Sequence, residues 1–181
     1  TYAGSADAVE ESRLLSGVIC GEQRLERWTT SGKQAPPDYY AARGRLTEVM
    51  QALKLDVSDR RLTDDSRLHP GRAATLVLEG RPLGCFGQLH PELAESLDLP
   101  EATFLFELDL SRLVESATRR NRWIPAFEAF PTVPASERDL AVLVDRSLAA
   151  SDLMQSIRKA GKPLLEAVTL IDRFEGDQLG E

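Results

Sequence analysis

Residues 103–110 read Thr-Phe-Leu-Phe-Glu-Leu-Asp-Leu, so Phe104, Phe106, Leu108 and Leu110 fall on every second position. A period of two marks a strand with one buried face, because successive side chains on a strand point to opposite sides. Such a strand commits the chain to a sheet and to a layer that covers its oily face. Partners lie just upstream. Residues 73–78 form an apolar run rich in strand formers, Glu79-Gly80-Arg81 makes a short turn, and Leu83, Cys85, Phe86 and Leu89 return around Gly84 and Gly87. That pattern predicts an antiparallel hairpin. Residues 14–20, apolar after a charged stretch, predict a further strand.

Helices are signalled between the strands. Residues 32–37 (Gly-Lys-Gln-Ala-Pro-Pro) are loop chemistry, and Asp38 is a good N-cap for a helix reaching Leu53. Tyr39, Ala42, Leu46, Val49, Met50 and Leu53 recur at spacings of three and four, one amphipathic face. Leu68-His69-Pro70-Gly71-Arg72 reads as a turn, residues 91–97 as a short helix opened by Pro91, and residues 110–116 as another short helix. Then the composition shifts. Residues 118–123 are basic, and Pro125, Pro131 and Pro134 stiffen the stretch behind them, which predicts a linker or extended arm. Residues 139–145 predict a strand, residues 148–160 a helix capped by Ser147 or Ser151 and ended by Gly161, and residues 164–174 a second strand. Strand, helix, strand is half of a split β-α-β layout and buries too little apolar surface to stand alone. With no Met at position 1 and a stop just after an apparent turn, the expectation is an excised segment whose missing half lies beyond Glu181.

The net charge of −7 excludes a basic nucleic-acid binder by bulk electrostatics. Residues 1–117 carry 13 Lys/Arg against 19 Asp/Glu, and residues 118–181 carry 9 against 10, so any RNA contact must come from a local patch. Cys20 and Cys85 sit in apolar runs and are expected to be buried small hydrophobes. No apolar stretch reaches the roughly 20 residues that span a bilayer, and residues 1–10 lack the basic start and apolar core of a secretion signal, so the expected location is cytoplasmic. His69 and His90, each followed by proline, are too far apart in sequence for a metal pair on one element and are expected to stabilise turns. No nucleophile elbow, phosphate loop or dinucleotide fingerprint occurs, and Asp64-Asp65 and Glu10-Glu11 are expected to be solvated. These residues by themselves support an α+β chain of two modules without a visible active site.

The motifs together resemble one family. Leu68-His69-Pro70-Gly71-Arg72-Ala73-Ala74 resembles the HPGRSA stretch of the beta subunit of bacterial phenylalanyl-tRNA synthetase. The run from Leu83 to Pro91 resembles that family's G-x-x-G-E-x-H-P, and residues 104–110 its FELDL strand. Asp38-Tyr39-Tyr40-Ala41-Ala42-Arg43-Gly44 resembles its DFFDLKG helix entry. Phe130-Pro131-Thr132-Val133-Pro134, Glu137-Arg138-Asp139-Leu140-Ala141 and the stretch from Leu170 to Gly176 resemble the opening of its C-terminal domain. The order and spacing match from about Arg13 to Gly176. Ala41-Ala42-Arg43 departs from Asp-Leu-Lys, and Gln88 stands where the family often has Glu; both are read as surface or packing choices.

The resemblance implies an antiparallel-sheet, class II synthetase-like (catalytic-like) domain over residues 1–117, without the residues for ATP or amino-acid chemistry. A linker at 118–130 would follow, then the first half of a ferredoxin-like anticodon-binding domain at 131–181. It implies an α2β2 enzyme that joins phenylalanine to tRNA(Phe) with ATP and Mg²⁺, its chemistry in the alpha subunit. This chain would hold no catalytic residue, metal or cofactor, and the beta subunit's metal-binding and editing domains would lie upstream of Thr1. Arg119, Arg120 and Arg122 beside Trp123 suit RNA backbone contact and stacking, or else a solvated linker with Trp123 pinned to the domain. Arg138 and Arg173, at matching places on two predicted strands, and Phe174 suit base contact; Arg138 could equally pair with Asp139. Arg72 suits a phosphate, or a tight turn in which Gly71 takes positive φ and Arg72 pairs with a carboxylate of its own sheet. Tyr39/Tyr40 and Phe104/Phe106 suit either a subunit interface or the core. The rival reading is a free-standing RNA-binding or protein-interaction module; a self-sufficient ligase is disfavoured by the absent motifs.

Overall fold

The computed structural model describes residues 2–5, 8–21, 23–24, 34–125, 127, 129–130 and 132–175. In chain order the strands are β1 (Tyr2–Ser5), β2 (Ala8–Glu11), β3 (Leu14–Ile19), β4 (Gln23–Arg24), β5 (Gln34–Ala35), β6 (Val57–Arg61), β7 (Leu68–Leu78), β8 (Arg81–Leu89) and β9 (Phe104–Asp109). The helices are α1 (Tyr39–Ala52), α2 (Pro91–Ser96), α3 (Leu110–Ala117) and α4 (Ala150–Ala160). The chain forms two units, Thr1–Glu128 and Ala129–Glu181.

The first unit is built on a five-stranded sheet ordered β3-β9-β8-β7-β6, antiparallel throughout. Two short pairs, β1 with β2 and β4 with β5, stand apart from it. The predicted hairpin is its centre. β7 and β8 are joined by Glu79 and Gly80 alone, at φ 52° and 77°. Positive φ at both central residues is the type I′ turn, whose twist matches the flanking strands.

Register places the apolar residues on one face. Phe104, Phe106 and Leu108 stand opposite Gln88, Phe86 and Gly84, and Phe86 and Gly84 stand opposite Ala74 and Leu76. Opposed residues of an antiparallel pair share a face. Onto that face α1 lays Ala42, Leu46 and Met50, and α3 lays Leu113 and Ala117. Asp38 caps α1 by accepting from the Ala41 N–H at 2.7 Å, as its sequence position predicts. Sealing each large side chain of this layer contributes about 1.5–3 kcal/mol. Tyr39 belongs to the core side, its ring 5.3 Å from Phe86, which stacks on Phe104 at 5.9 Å; Tyr40 is exposed. Burial, with Asp59 nearby, pushes the Tyr39 phenol up.

Several expectations are corrected. His69-Pro70-Gly71-Arg72 is not a turn between elements but lies inside β7. Leu68 pairs with Leu89 and Ala73 with Gly87, so four residues on β7 oppose only Gln88. The turn-forming residues shape a large bulge instead. The His69 Nδ1 accepts from the Gly71 N–H at 3.0 Å, so it braces this bulge rather than the turn expected of it. Gly71 does not take positive φ; the described glycines that do are Gly21 and Gly80. Of the surface and packing readings of Gln88, packing holds: it is 3% exposed, because it faces the core side where the bulge closes over it. Cys20 is exposed and Cys85 half-buried: one follows an edge strand, and the other lies on the sheet face opposite Phe86, with its Sγ 3.9 Å from an Arg67 nitrogen. Asp65 is not freely solvated but paired with Arg67 at 2.7 Å.

The second unit departs further from expectation. α4 forms and Gly161 is its C-cap, but its N-cap is Ala149 without a side-chain bond, and Ser147 instead bonds Asp145. Residues 139–145 and 164–174 form no strand pairing. In a split β-α-β arrangement the two strands leave a slot for a third between them and do not pair with each other. None of the described residues in this unit is buried. Pro131 and the tail from Gly176 on, which complete two of the resembling motifs, lie outside the described residues.

Candidate nucleic-acid interface

The basic stretch after α3 is where the sequence concentrates cationic groups. Asp109 starts α3 by accepting from the Arg112 N–H at 3.0 Å, and the helix stops at Thr118, whose N–H donates to the Val114 carbonyl. A single 3₁₀ turn, Arg120–Arg122, comes next. This stretch is held rather than loose. Arg119 pairs with both Glu79 carboxylate oxygens at 2.8 and 2.9 Å. Arg122 reaches the same carboxylate at 3.0 Å, donates through Nε to the Ser116 carbonyl at 2.8 Å, and bonds the Lys54 carbonyl. The Trp123 indole N–H donates to the Ala117 carbonyl at 2.6 Å, and the Lys54 ammonium lies 5.2 Å from the Trp123 ring centre. Arg120 is exposed and makes no ion pair among the described residues.

In the second unit Arg138, among the described residues, bonds only its neighbour's Glu137 carbonyl, at 3.4 Å, and forms no pair with Asp139. Arg173 pairs with Glu175, which also takes Arg146 at 3.1 Å. Phe174 is exposed. Since neither predicted strand pairs, Arg138 and Arg173 do not occupy matching ladder positions. The fold therefore gathers Arg119 and Arg122 on one carboxylate and Arg146 and Arg173 on another. Sequence reasoning missed Glu79 and Lys54. The one signal present was a glutamate in a turn position that favours Asn, Asp or Gly.

Arg72 pairs with no carboxylate among the described residues. It donates to the Gln88 Oε1 at 2.7 Å, and the Gln88 amide donates to the Glu101 carbonyl at 2.9 Å. This chain of bonds floors an open cleft lined by Pro37, Tyr39, Tyr40 and Phe104. On the sheet's other side Arg67 lies between Asp65 and Glu107. Hydrogen bonds from Arg67 hold the Asp65 carboxyl below the usual range, the same bond raises Arg67, and burial pushes the Cys85 thiol up. Among the described residues no cluster of three or more His, Cys, Asp or Glu is placed to hold a metal ion, and no helix is long and apolar enough to cross a membrane.

An antiparallel sheet with helices on one face, then a basic turn and a helix-bearing second unit, agrees with what sequence comparison finds. The model of the phenylalanyl-tRNA synthetase beta chain CLM domain matches residues 1–110. The chain belongs to the phenylalanyl-tRNA synthetase beta chain family. A second model, the ferredoxin-fold anticodon binding domain, matches residues 131–181. The chain is similar over its whole length to the phenylalanine–tRNA ligase beta subunits of Parasynechococcus marenigrum (strain WH8102), at 95% identity, and Synechococcus sp. (strain CC9605), at 72%. It is 39% identical to that of Trichormus variabilis over 96% of its residues. It spans only 22%, 22% and 21% of those relatives' lengths.

Proposed function

We infer that this chain is a structural and tRNA-contacting part of the beta subunit of phenylalanine–tRNA ligase, and that it supports ATP-dependent attachment of phenylalanine to tRNA(Phe) without performing the chemistry. The observation that carries this reading is the tandem order of the two matched domains, a beta-chain sheet domain and then an anticodon-binding domain. In this reading residues 1–117 are a class II-type, catalytic-like domain, residues 118–130 a connecting segment, and residues 131–181 the first half of the anticodon-binding fold. The five-stranded antiparallel sheet with helices laid on one face supports the first of these. ATP and Mg²⁺ serve the assembled enzyme at the alpha subunit, in an α2β2 complex in the cytoplasm.

RNA phosphates are met by exposed guanidinium groups that the fold leaves free to bind. Arg120 and Arg138 fit best, because neither is neutralised by a carboxylate among the described residues. Arg119 and Arg173 contribute more weakly, since each shares its charge with a glutamate. Phe174 offers an exposed ring for stacking on a base. Arg122, with its side chain 20% exposed, is the least accessible of the group.

The test is co-expression of the full-length beta chain with its alpha subunit, and then charging assays across a salt series. Arg120→Ala and Arg138→Ala are expected to raise the KM for tRNA(Phe) several-fold and to flatten its salt dependence by about one ion per arginine removed. Phenylalanine activation without tRNA should stay unchanged. A beta chain that fails to co-purify with alpha yet binds tRNA tightly by itself would favour a free-standing RNA-binding module instead.

A further inference from the structure

We propose that Glu79, at the tip of the β7–β8 hairpin, is a positioning residue: it clasps Arg119 and Arg122 and fixes the segment through Trp123 from which the chain continues to its anticodon-binding part. The proposal rests on the tRNA-charging reading for its functional consequence, and on geometry alone for the clasp.

Three observations lead to it. The first is the backbone at Glu79. Its φ of 52° lies in the left-handed region, where side chains other than Asn and Asp are disfavoured, and Asn-Gly would make the same turn with less strain. A glutamate there asks for a use of its carboxylate, and that carboxylate takes two arginines, 40 and 43 residues further along the chain.

The second is the state of Arg122. Its Nε and both terminal nitrogens each bond an oxygen of the first unit: the Ser116 carbonyl, the Lys54 carbonyl and Glu79. Three of its five N–H donors are thus committed to the protein, and with only 20% of its side chain exposed it has little left to offer a phosphate. Its role is to hold, not to contact RNA.

The third is convergence. The loop after α1 supplies Lys54, the end of α3 supplies Ser116 and Ala117, and the hairpin supplies Glu79; all bear on residues 119–123. Trp123 is fixed at the last of these positions by its indole bond and by Lys54 over its ring. A segment held from three elements does not sample orientations freely, so Arg119 and Arg120, carried on it, lose less entropy when they meet an RNA phosphate.

Glu79→Asn tests this, because Asn-Gly is the preferred type I′ pair: the variant keeps the turn and removes only the clasp. It is placed in the full-length beta chain assembled with alpha. Hydrogen exchange should be about tenfold faster across residues 117–124, including the Thr118 and Arg122 amides, while β7 and β8 keep their wild-type rates. The KM for tRNA(Phe) should rise about threefold or more, with kcat and tRNA-independent phenylalanine activation unchanged. Exchange at 117–124 that stays at the wild-type rate overturns the clasp. Faster exchange with an unmoved tRNA KM overturns the positioning role. A wild-type complex unable to charge tRNA(Phe) would overturn the functional reading and the positioning role with it, while the exchange result would still decide the clasp.

Discussion

Gly84 is the position where the sheet tolerates least. It stands opposite Leu108 across the β8–β9 pair and Leu76 across the β7–β8 pair, both buried in the core. A Cβ added there would lie 2.0 Å from the Glu107 carbonyl oxygen and 2.8 Å from the Leu108 Cα. Both obstacles are backbone, so relief requires β8 and β9 to separate by about 1 Å, at the cost of ladder bonds and of contacts around Phe86 and Leu108. Gly17 is the internal comparison. Its added Cβ would meet the Phe106 ring at 2.5 Å, a side chain that can turn, at the sheet's edge. Overpacking costs about 1–3 kcal/mol, so Gly84→Ala should lie near about 3 kcal/mol and Gly17→Ala near about 1 kcal/mol. With a urea slope of about 2 kcal/mol/M, the midpoint should fall by about 1.5 M for Gly84→Ala and about 0.5 M for Gly17→Ala. Urea unfolding of the 181-residue chain, monitored by far-UV circular dichroism, measures both. A Gly84→Ala midpoint within about 0.3 M of wild type, or a larger loss for Gly17→Ala, would refute the backbone-contact argument.

Gln88→Leu keeps the apolar volume but strips the Arg72 guanidinium and the Glu101 carbonyl of their partner; thermal melts should show a loss of about 1–3 kcal/mol, and no loss would mean that water replaces those bonds. Because Arg67 depresses the folded-state pKa of Asp65, the pair stabilises the fold above the ordinary carboxylate value of 3.8, and that contribution disappears as pH falls through the lower folded value. Asp65→Asn should therefore be less stable than wild type at about pH 6 and should converge with it in acid; parallel stability curves down to about pH 2 would contradict this. Cys20 is exposed, whereas the Cys85 thiol is half-buried and pushed up by burial. Iodoacetamide at neutral pH should label Cys20 about tenfold faster or more, with the difference abolished in urea; equal rates in the folded chain would place Cys85 differently.

The elements with strong periodicity were legible from residues alone. The alternation at residues 104–110, the Gly-bearing turn before Arg81 and the cap at Asp38 each specify local backbone geometry, and each formed where expected. The candidate site was legible only as a composition. A run of arginines is visible in sequence, but whether each faces solvent or a carboxylate depends on Glu79, 40 residues before Arg119. The HPGR stretch misled for a related reason. Proline and glycine report that the backbone bends, not whether the bend joins two elements or bulges within one.

Chain order, the oily side of each strand and the family are properties of the residues themselves, because side-chain alternation and motif spacing are local. Which arginines remain open to a phosphate, why Gln88 is buried, and whether residues 139–145 find a neighbour all turn on groups distant in the chain. Such pairings form only when the sheet closes and sets a carboxylate, a carbonyl or a second strand within about 3 Å of its partner, and no reading of one segment at a time contains that distance.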